Sequence, residues 1–266
     1  MKGLTLVVLC VAYPAHLFGQ TKDADEKRAF EKLWARCVDS SALVFGLEST
    51  KERQPIAGAL VLDREKHLLL SLDYDLPDHP TVVFPTYTAK GELRNKPSEY
   101  VELWKKGERW KGKVQHRDKY RGLVVIELDR ALPDRAKPAE FARQSAAIGS
   151  TIHALGQLPL EPEASWNWTE GKVRGVGKEV PIVTGHEAPH PPSRMILAST
   201  APRGSGPEFG LFNLSGHVVA FPEPSSGTPR QVEVRLDVTE VRAFLIENKV
   251  PFKSAEEPAA KDKKAK

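Results

Sequence analysis

Two stretches of this chain carry residue types at spacings associated with catalysis, and both fail on inspection. His186-Glu187-Ala188-Pro189-His190 matches the His-Glu-x-x-His pattern letter for letter. In a zinc peptidase that pattern works because two His four residues apart share one helix face, with the Glu between them as general base. Pro189 lies inside the would-be turn and Pro191 and Pro192 follow at once, so a helix is close to excluded. The segment reads as an exposed loop, with His186 and His190 at most a weak zinc pair. Gly171 to Lys178 has the glycine content of a phosphate loop, but the spacing is wrong and Glu179 stands where Ser or Thr would touch the metal.

The elements that must position any site are short and numerous. Leu43–Leu47, Ala57–Leu62, Leu68–Leu72, Thr81–Phe84, Val101–Trp104, Gly112–Gln115, Leu123–Leu128, Thr151–Leu155, Lys172–Val176, Met195–Ala198, Gly210–Asn213 and Val218–Phe221 are apolar runs of strand length separated by Gly, Pro and charged residues. Many short strands punctuated in this way predict an all-β barrel or sandwich. Two helices flank them. Phe30, Leu33, Trp34 and Cys37 recur at helical spacing. Asp237 can cap a closing helix over 237–248, with Glu240 as capping-box partner and Val238, Val241, Phe244 and Leu245 as its apolar face. Trp104, Trp110, Trp166 and Trp168 read as core and barrel-rim residues.

Composition bounds the function. The 266 residues, 40% hydrophobic and 28% charged, suit one large β-domain or two small ones. A net charge of +4 is too small and too dispersed for a nucleic-acid partner. Lys2, the apolar stretch Leu4–Ala12 and the small residues near Gly19 predict a signal peptide over 1–19, too short to span a bilayer. Export to the periplasm or the extracellular space is therefore expected, with no membrane-spanning segment in the mature chain. Removing 1–19 leaves Cys37 alone, so no internal disulfide is expected, and Cys37 reads as a buried small residue. Residues 20–40 form a polar lead and helix, and residues 253–266 have the composition of a disordered charged tail.

Four stretches, in order and spacing, resemble the trypsin-like serine proteases, most closely the bacterial HtrA or Deg-type branch. Gly58 to Tyr74 is similar to the first-barrel hairpin that ends in the family's catalytic histidine. Gly112 to Leu128 is similar to the strand pair that carries the family's aspartate, and Gly149–Gly156 followed by Trp168–Gly177 to the opening of the second barrel. Met195 to Val219 resembles the nucleophile region: Leu211-Phe212-Asn213 matches the strand that follows the Gly-Asn/Asp-Ser-Gly-Gly-Pro turn. The resemblance implies two six-stranded antiparallel β-barrels, the first over about 41–135 and the second over about 145–235, within a domain at 41–252.

Where the resemblance places the three catalytic side chains, the sequence has Tyr74 for histidine, Gly122 for aspartate and Pro207 for serine. The triad acts as a unit, with serine attacking, histidine taking its proton and aspartate holding the imidazole. A phenol with pKa near ~10 is a poor base at neutral pH, glycine has no side chain, and proline has neither hydroxyl nor N–H. Glu208 puts a carboxylate in the turn that otherwise stabilises an oxyanion. These substitutions predict a pseudoprotease that takes no cofactor and binds a protein or an extended peptide by strand addition. The alternatives are an active serine endopeptidase with its nucleophile shifted to Ser205, in Gly204-Ser205-Gly206-Pro207, and a zinc peptidase through His186, Glu187 and His190. Deg-type proteins often carry a PDZ domain after the barrels, and none is expected here. Composition and motifs do not specify an oligomeric state.

Overall fold

The computed structural model describes residues 24–46, 55–73, 76–157, 166–179, 193–199, 207–222 and 233–256. The first barrel follows helix α1 (Ala24–Asp39) and is built from β1 (Ser41–Phe45), β2 (Pro55–Asp63), β3 (Leu68–Leu72), β4 (Thr81–Val83), β5 (Trp110–Asp118) and β6 (Leu123–Leu128), with helix α2 (Pro97–Lys105) between β4 and β5. It closes in the order β1-β2-β3-β6-β5-β4, every pair antiparallel. A short strand, β7 (Glu140–Phe141), leads to the second barrel of β8 (Thr151–Gln157), β9 (Trp166–Glu179), β10 (Ser193–Ala198), β11 (Glu208–Phe212), β12 (Val218–Pro222) and β13 (Glu233–Asp237). Pairing of β11 with β12 closes this barrel as β8-β9-β10-β13-β12-β11. Counted from each barrel's first strand, the two orders are the same. No sequence period announces that repeat, because it lies in which strands bond rather than in which residues recur.

Several strands, β2 foremost, are nearly continuous apolar runs because they are covered on both sides. In β2 the residues from Ala57 to Leu62 are all buried. Ala57, Ala59 and Val61 point into the first barrel with Val44, Leu69, Val82, Val124 and Ile126. Leu60 and Leu62 face the other way, into a cluster that also holds Phe209, Phe212, Phe221 and Leu236 of the second barrel. Ile152, Ala154, Val173, Ile196, Ala198, Leu211 and Val219 fill the second barrel. Burial of a whole apolar side chain contributes roughly 1.5–3 kcal/mol, so the layer between the barrels is the cohesive element that makes them one body.

The predicted helices form. In α1, Phe30 and Trp34 meet Trp168 edge-on at 6.1 and 5.6 Å, and Leu33 packs over Gly216. Cys37 is fully buried, and desolvation pushes its thiol up to about 12. Helix α3 (Val238–Glu247) buries Val238, Val241, Phe244 and Leu245, and the Asp237 carboxylate accepts from the Thr239 N–H at 2.8 Å. Glu240 does not close a capping box. It accepts from the Arg194 N–H and from the Arg121 guanidinium instead.

Several local readings change. Val101–Trp104 is part of α2 rather than a strand: Pro97 opens the helix, Glu99 accepts from the Lys96 N–H, and Tyr100, Leu103 and Trp104 share its buried face. Asn213 lies just beyond β11 and shapes the hairpin, its side-chain oxygen accepting from the N–H groups of Ser215 and His217. Lys253 and Ser254, placed by composition in the tail, pair with β7 as β14 (Lys253–Ser254), and the Ala255 N–H continues that pairing to the Phe141 carbonyl. Among the described residues no helix is long and apolar enough to cross a membrane. The expected signal peptide and the rest of the tail, residues 257–266, lie outside the described residues.

Candidate functional site

The barrels touch along a seam where backbone meets backbone. A Cβ at Gly58 of β2 would stand 2.3 Å from the Glu208 carbonyl oxygen and 2.8 Å from the Phe209 ring. Only a residue without a side chain lets β2 approach the head of β11 so closely. Opposite Ala59 on β3 lies Ser71, whose hydroxyl donates to the Gly58 carbonyl at 2.9 Å. Beyond the end of β3 the Asp73 N–H donates to the Gly122 carbonyl at 2.9 Å, extending the Leu72–Leu123 register by one rung. Contacts therefore link Glu208 to Gly58 and Gly58 to Ser71, and separately Asp73 to Gly122.

Gly122 owes its identity to the hairpin between β5 and β6. The Asp118 carboxylate accepts from the N–H groups of Tyr120 and Arg121 at 2.8 and 3.0 Å, which draws the turn tight. The chain leaves that turn through Gly122 at φ +64°, in the left-handed region that glycine enters at no steric cost. The neighbouring Arg121 joins the hairpin to the closing helix. Its guanidinium donates to Asp118 at 2.9 Å, to Glu247 at 2.9 and 3.2 Å and to Glu240 at 3.3 Å. Desolvation works against this cation, but its hydrogen bonds to Glu247 and Asp118 outweigh it and hold the group more firmly protonated than usual. Arg117 performs the matching task on the turn after β3, pairing with Asp73 and donating to the Leu76 carbonyl at 2.9 Å.

Pro207 is buried at the head of β11, where its carbonyl faces Gly156 of β8. The next residue, Glu208, sends its carboxylate to Arg235 of β13 at 2.7 Å. Arg235 is 6% exposed and sits opposite Ile196, whose side chain belongs to the filling of the second barrel. Arg235 shares the inward face of its strand with Asp237, which holds the Ser145 hydroxyl and lies 3.6 Å from Arg194.

Of the residues singled out in the sequence, Pro207 lies at the head of β11 and Gly122 at the exit of the β5–β6 hairpin, while Tyr74, which directly follows Asp73, is outside the described residues. Ser205, His186, Glu187 and His190 are outside them as well. Among the described residues no group of three or more His, Cys, Asp and Glu could hold a metal ion. Sequence reasoning missed Arg117, Arg121, Arg235 and the whole of β13. The signal for β13 was present in the alternation Glu233-Val234-Arg235-Leu236-Asp237, but charged residues on an inward face read as a loop.

No family model matches the sequence, and no curated protein matches it. Solved structures do. The Rv3671c protease from M. tuberculosis in its active form is 13% identical with a TM-score of 0.60, over 86% of this chain and 88% of that one. Its inactive form is 14% identical with a TM-score of 0.56, over 83% and 94%. Deg5 is 16% identical with a TM-score of 0.55, over 85% and 97%. The two-barrel architecture of this chain is thus that of trypsin-like, HtrA-type proteases.

Proposed function

We propose that this protein is an exported pseudoprotease: a trypsin-like scaffold without a working triad that acts by binding a protein or an extended peptide. The observation that carries the reading is the head of β11. Where the resemblance places the nucleophile, the chain has the buried Pro207, and Glu208 follows with its carboxylate held by Arg235 at 2.7 Å. A proline there has nothing to attack with and no N–H to offer an oxyanion.

Gly122 supports the same reading. Its place in a tight hairpin at φ +64° leaves no carboxylate where the resemblance puts the one that orients the histidine. Binding by strand addition needs backbone groups and side-chain pockets and not the triad. Export rests on the character of residues 1–19.

The test has two arms. The purified chain is incubated with a fluorophosphonate probe and with an unfolded protein substrate, and neither labelling nor cleavage is expected. The same preparation is titrated against immobilised unstructured peptides, where saturable binding is expected. Covalent labelling of Ser205 overturns the inactive reading, and absence of saturable binding overturns the binding reading.

A further inference from the structure

Helix α1 joins the first barrel by chain connection, with only Ser40 between it and β1, and its last residues are fixed beside that barrel. Cys37 and Val38 are fully buried, and Asp39 accepts from the Tyr87 hydroxyl at 2.9 Å and lies 3.7 and 3.9 Å from Arg135 and Lys137. The turns before them cross to the other barrel. Phe30 and Trp34 rest edge-on against Trp168 of β9, and Leu33 lies over Gly216. Arg36 donates to the Ser215 carbonyl at 3.1 Å and pairs with Glu140 at 2.5 Å. These four side chains are only partly buried, and the strands beneath them pair without their help.

Two histidines stand in the face that this helix covers. His153 of β8 is 5% exposed and stacks at 4.9 Å on Trp168, the indole against which Phe30 and Trp34 rest. Neither of its ring nitrogens meets a hydrogen-bond partner among the described residues, nor does the Trp168 indole N–H. An imidazolium there would carry two buried N–H donors with nothing to accept them, and contact with the indole face offsets only part of that cost. The charge acting on it is the carboxylate of Glu170, opposite it on β9 and exposed. His217 stands 3.3 Å from Glu140, but that carboxylate is already shared by Arg36 of α1 and Lys253 of β14, each at 2.5 Å. A proton on His217 would place a third cation around one anion. Burial holds both imidazoles below their usual pKa; at His217 Arg36 adds to the effect and Glu140 opposes it. The helix's remaining charges from Lys27 onward, Lys27, Arg28, Glu31 and Lys32, are exposed.

We propose that α1 is an acid-released strap: in mild acid His153 and His217 take up protons and the helix lifts off the second barrel, uncovering the Trp168 face of β8 and β9 while both barrels stay folded. Release lets water reach both rings and returns them toward the ordinary pKa of about 6.5. The released form therefore binds more protons than the docked one, so acid favours it, and the effect vanishes well above pH 6.5. At pH 5.5 each histidine multiplies the ratio of released to docked helix by up to about tenfold, and the pair by up to about a hundredfold. The buried Cys37 and Val38 keep the far end of the helix in place, so the opening is local.

The experiment is hydrogen–deuterium exchange of the full chain, read by mass spectrometry at pH 7.5 and 5.5 and corrected for the intrinsic pH dependence of exchange. Protection over residues 28–36 is expected to fall by about tenfold or more at the lower pH, while Leu68–Leu72 and Leu123–Leu128 keep theirs. The double variant H153F/H217Q, in which Phe retains a ring against Trp168, is expected to hold the helix equally at both pH values. Should that variant fail to fold, His217→Gln alone is expected to show a smaller fall than the parent. Trp34→Ala is expected to loosen the helix already at pH 7.5. Unchanged protection of residues 28–36 in the parent at pH 5.5 overturns the strap, as does an equal loss in β3 and β6, which is acid unfolding of the whole. A parent-sized fall in H153F/H217Q, or in His217→Gln where only that variant folds, overturns the assignment to these histidines. Full protection in Trp34→Ala at pH 7.5 overturns the role given to the Trp168 contact.

Discussion

The seam between the barrels is most directly probed by adding one methyl group. In Gly58→Ala the new Cβ would stand 2.3 Å from the Glu208 carbonyl oxygen and 2.8 Å from the Glu208 carbonyl carbon and the Phe209 ring. Side-chain carbons essentially never approach closer than 3.0 Å, so the backbone oxygen must retreat by at least about 0.7 Å. It cannot swing away as a flexible side chain would, because β11 is fixed by β8 and β12 on its two sides. Overpacking of this kind costs about 1–3 kcal/mol, with backbone contacts at the upper end. The loss of unfolded-state entropy on Gly→Ala returns roughly 0.4–1 kcal/mol, leaving a net destabilisation of about 2 kcal/mol.

At roughly 2–4 °C per kcal/mol for a domain of this size, the melting temperature should fall by about 4–8 °C. Gly177→Ala is the control. Its Cβ meets nothing within 4 Å and its φ is not left-handed, so it should match the parent or exceed it slightly. The assay is thermal unfolding by circular dichroism at fixed concentration and scan rate. Melting temperatures of Gly58→Ala and Gly177→Ala within about 1 °C of each other would refute the claim that β2 and β11 meet in rigid backbone contact.

Three further outcomes follow. Replacing Tyr74, Gly122 and Pro207 together by His, Asp and Ser is expected to yield no hydrolysis above background, since position 122 sits at φ +64°, where Asp is strained, and Glu208 keeps the place of a turn glycine; fluorophosphonate labelling of the triple variant is the check, and strong labelling contradicts the account. His153 is 5% exposed, stacks on Trp168 at 4.9 Å, and is held below its usual pKa first by burial, with Glu170 pulling the other way. The unfolded chain then binds more protons, so stability is complete above about pH 6.5 and declines as pH falls below it. His217 is shifted in the same direction, first by burial and then by Arg36. His153→Leu should therefore flatten, and His153→Leu with His217→Gln nearly abolish, the histidine part of that slope in urea titrations between pH 7.5 and 5. Finally, the Cys37 thiol, pushed up to about 12 by burial, should react with Ellman's reagent only when the protein unfolds; rapid modification of the native chain would contradict its burial.

Legibility varied with how local the cause was. Leu68–Leu72 and Leu123–Leu128 were readable to the residue because each is apolar at every position but one, Ser71 and Glu127, and nearly every position is buried. Helix α3 was readable from its cap and its four apolar positions. Val101–Trp104 was misassigned because a four-residue apolar run is equally compatible with strand and helix; the turn that starts at Pro97 and the packing of Trp104 on Thr81 decide it. Strand β13 was missed despite its alternation because Arg235 and Asp237 point inward as charges, and their partners explain that.

What the chain determines by itself is local: the apolar runs, the glycine at the hairpin exit, the cap at Asp237, and the absence of serine, histidine and aspartate where a resemblance calls for them. What the tertiary structure decided is pairing. The order in which strands bond, the approach of Gly58 to Glu208, and the meeting of Glu208 with Arg235 join residues far apart in the chain. Nothing in either residue's neighbourhood encodes such a meeting, because the energy that selects it comes from closing the barrel around both.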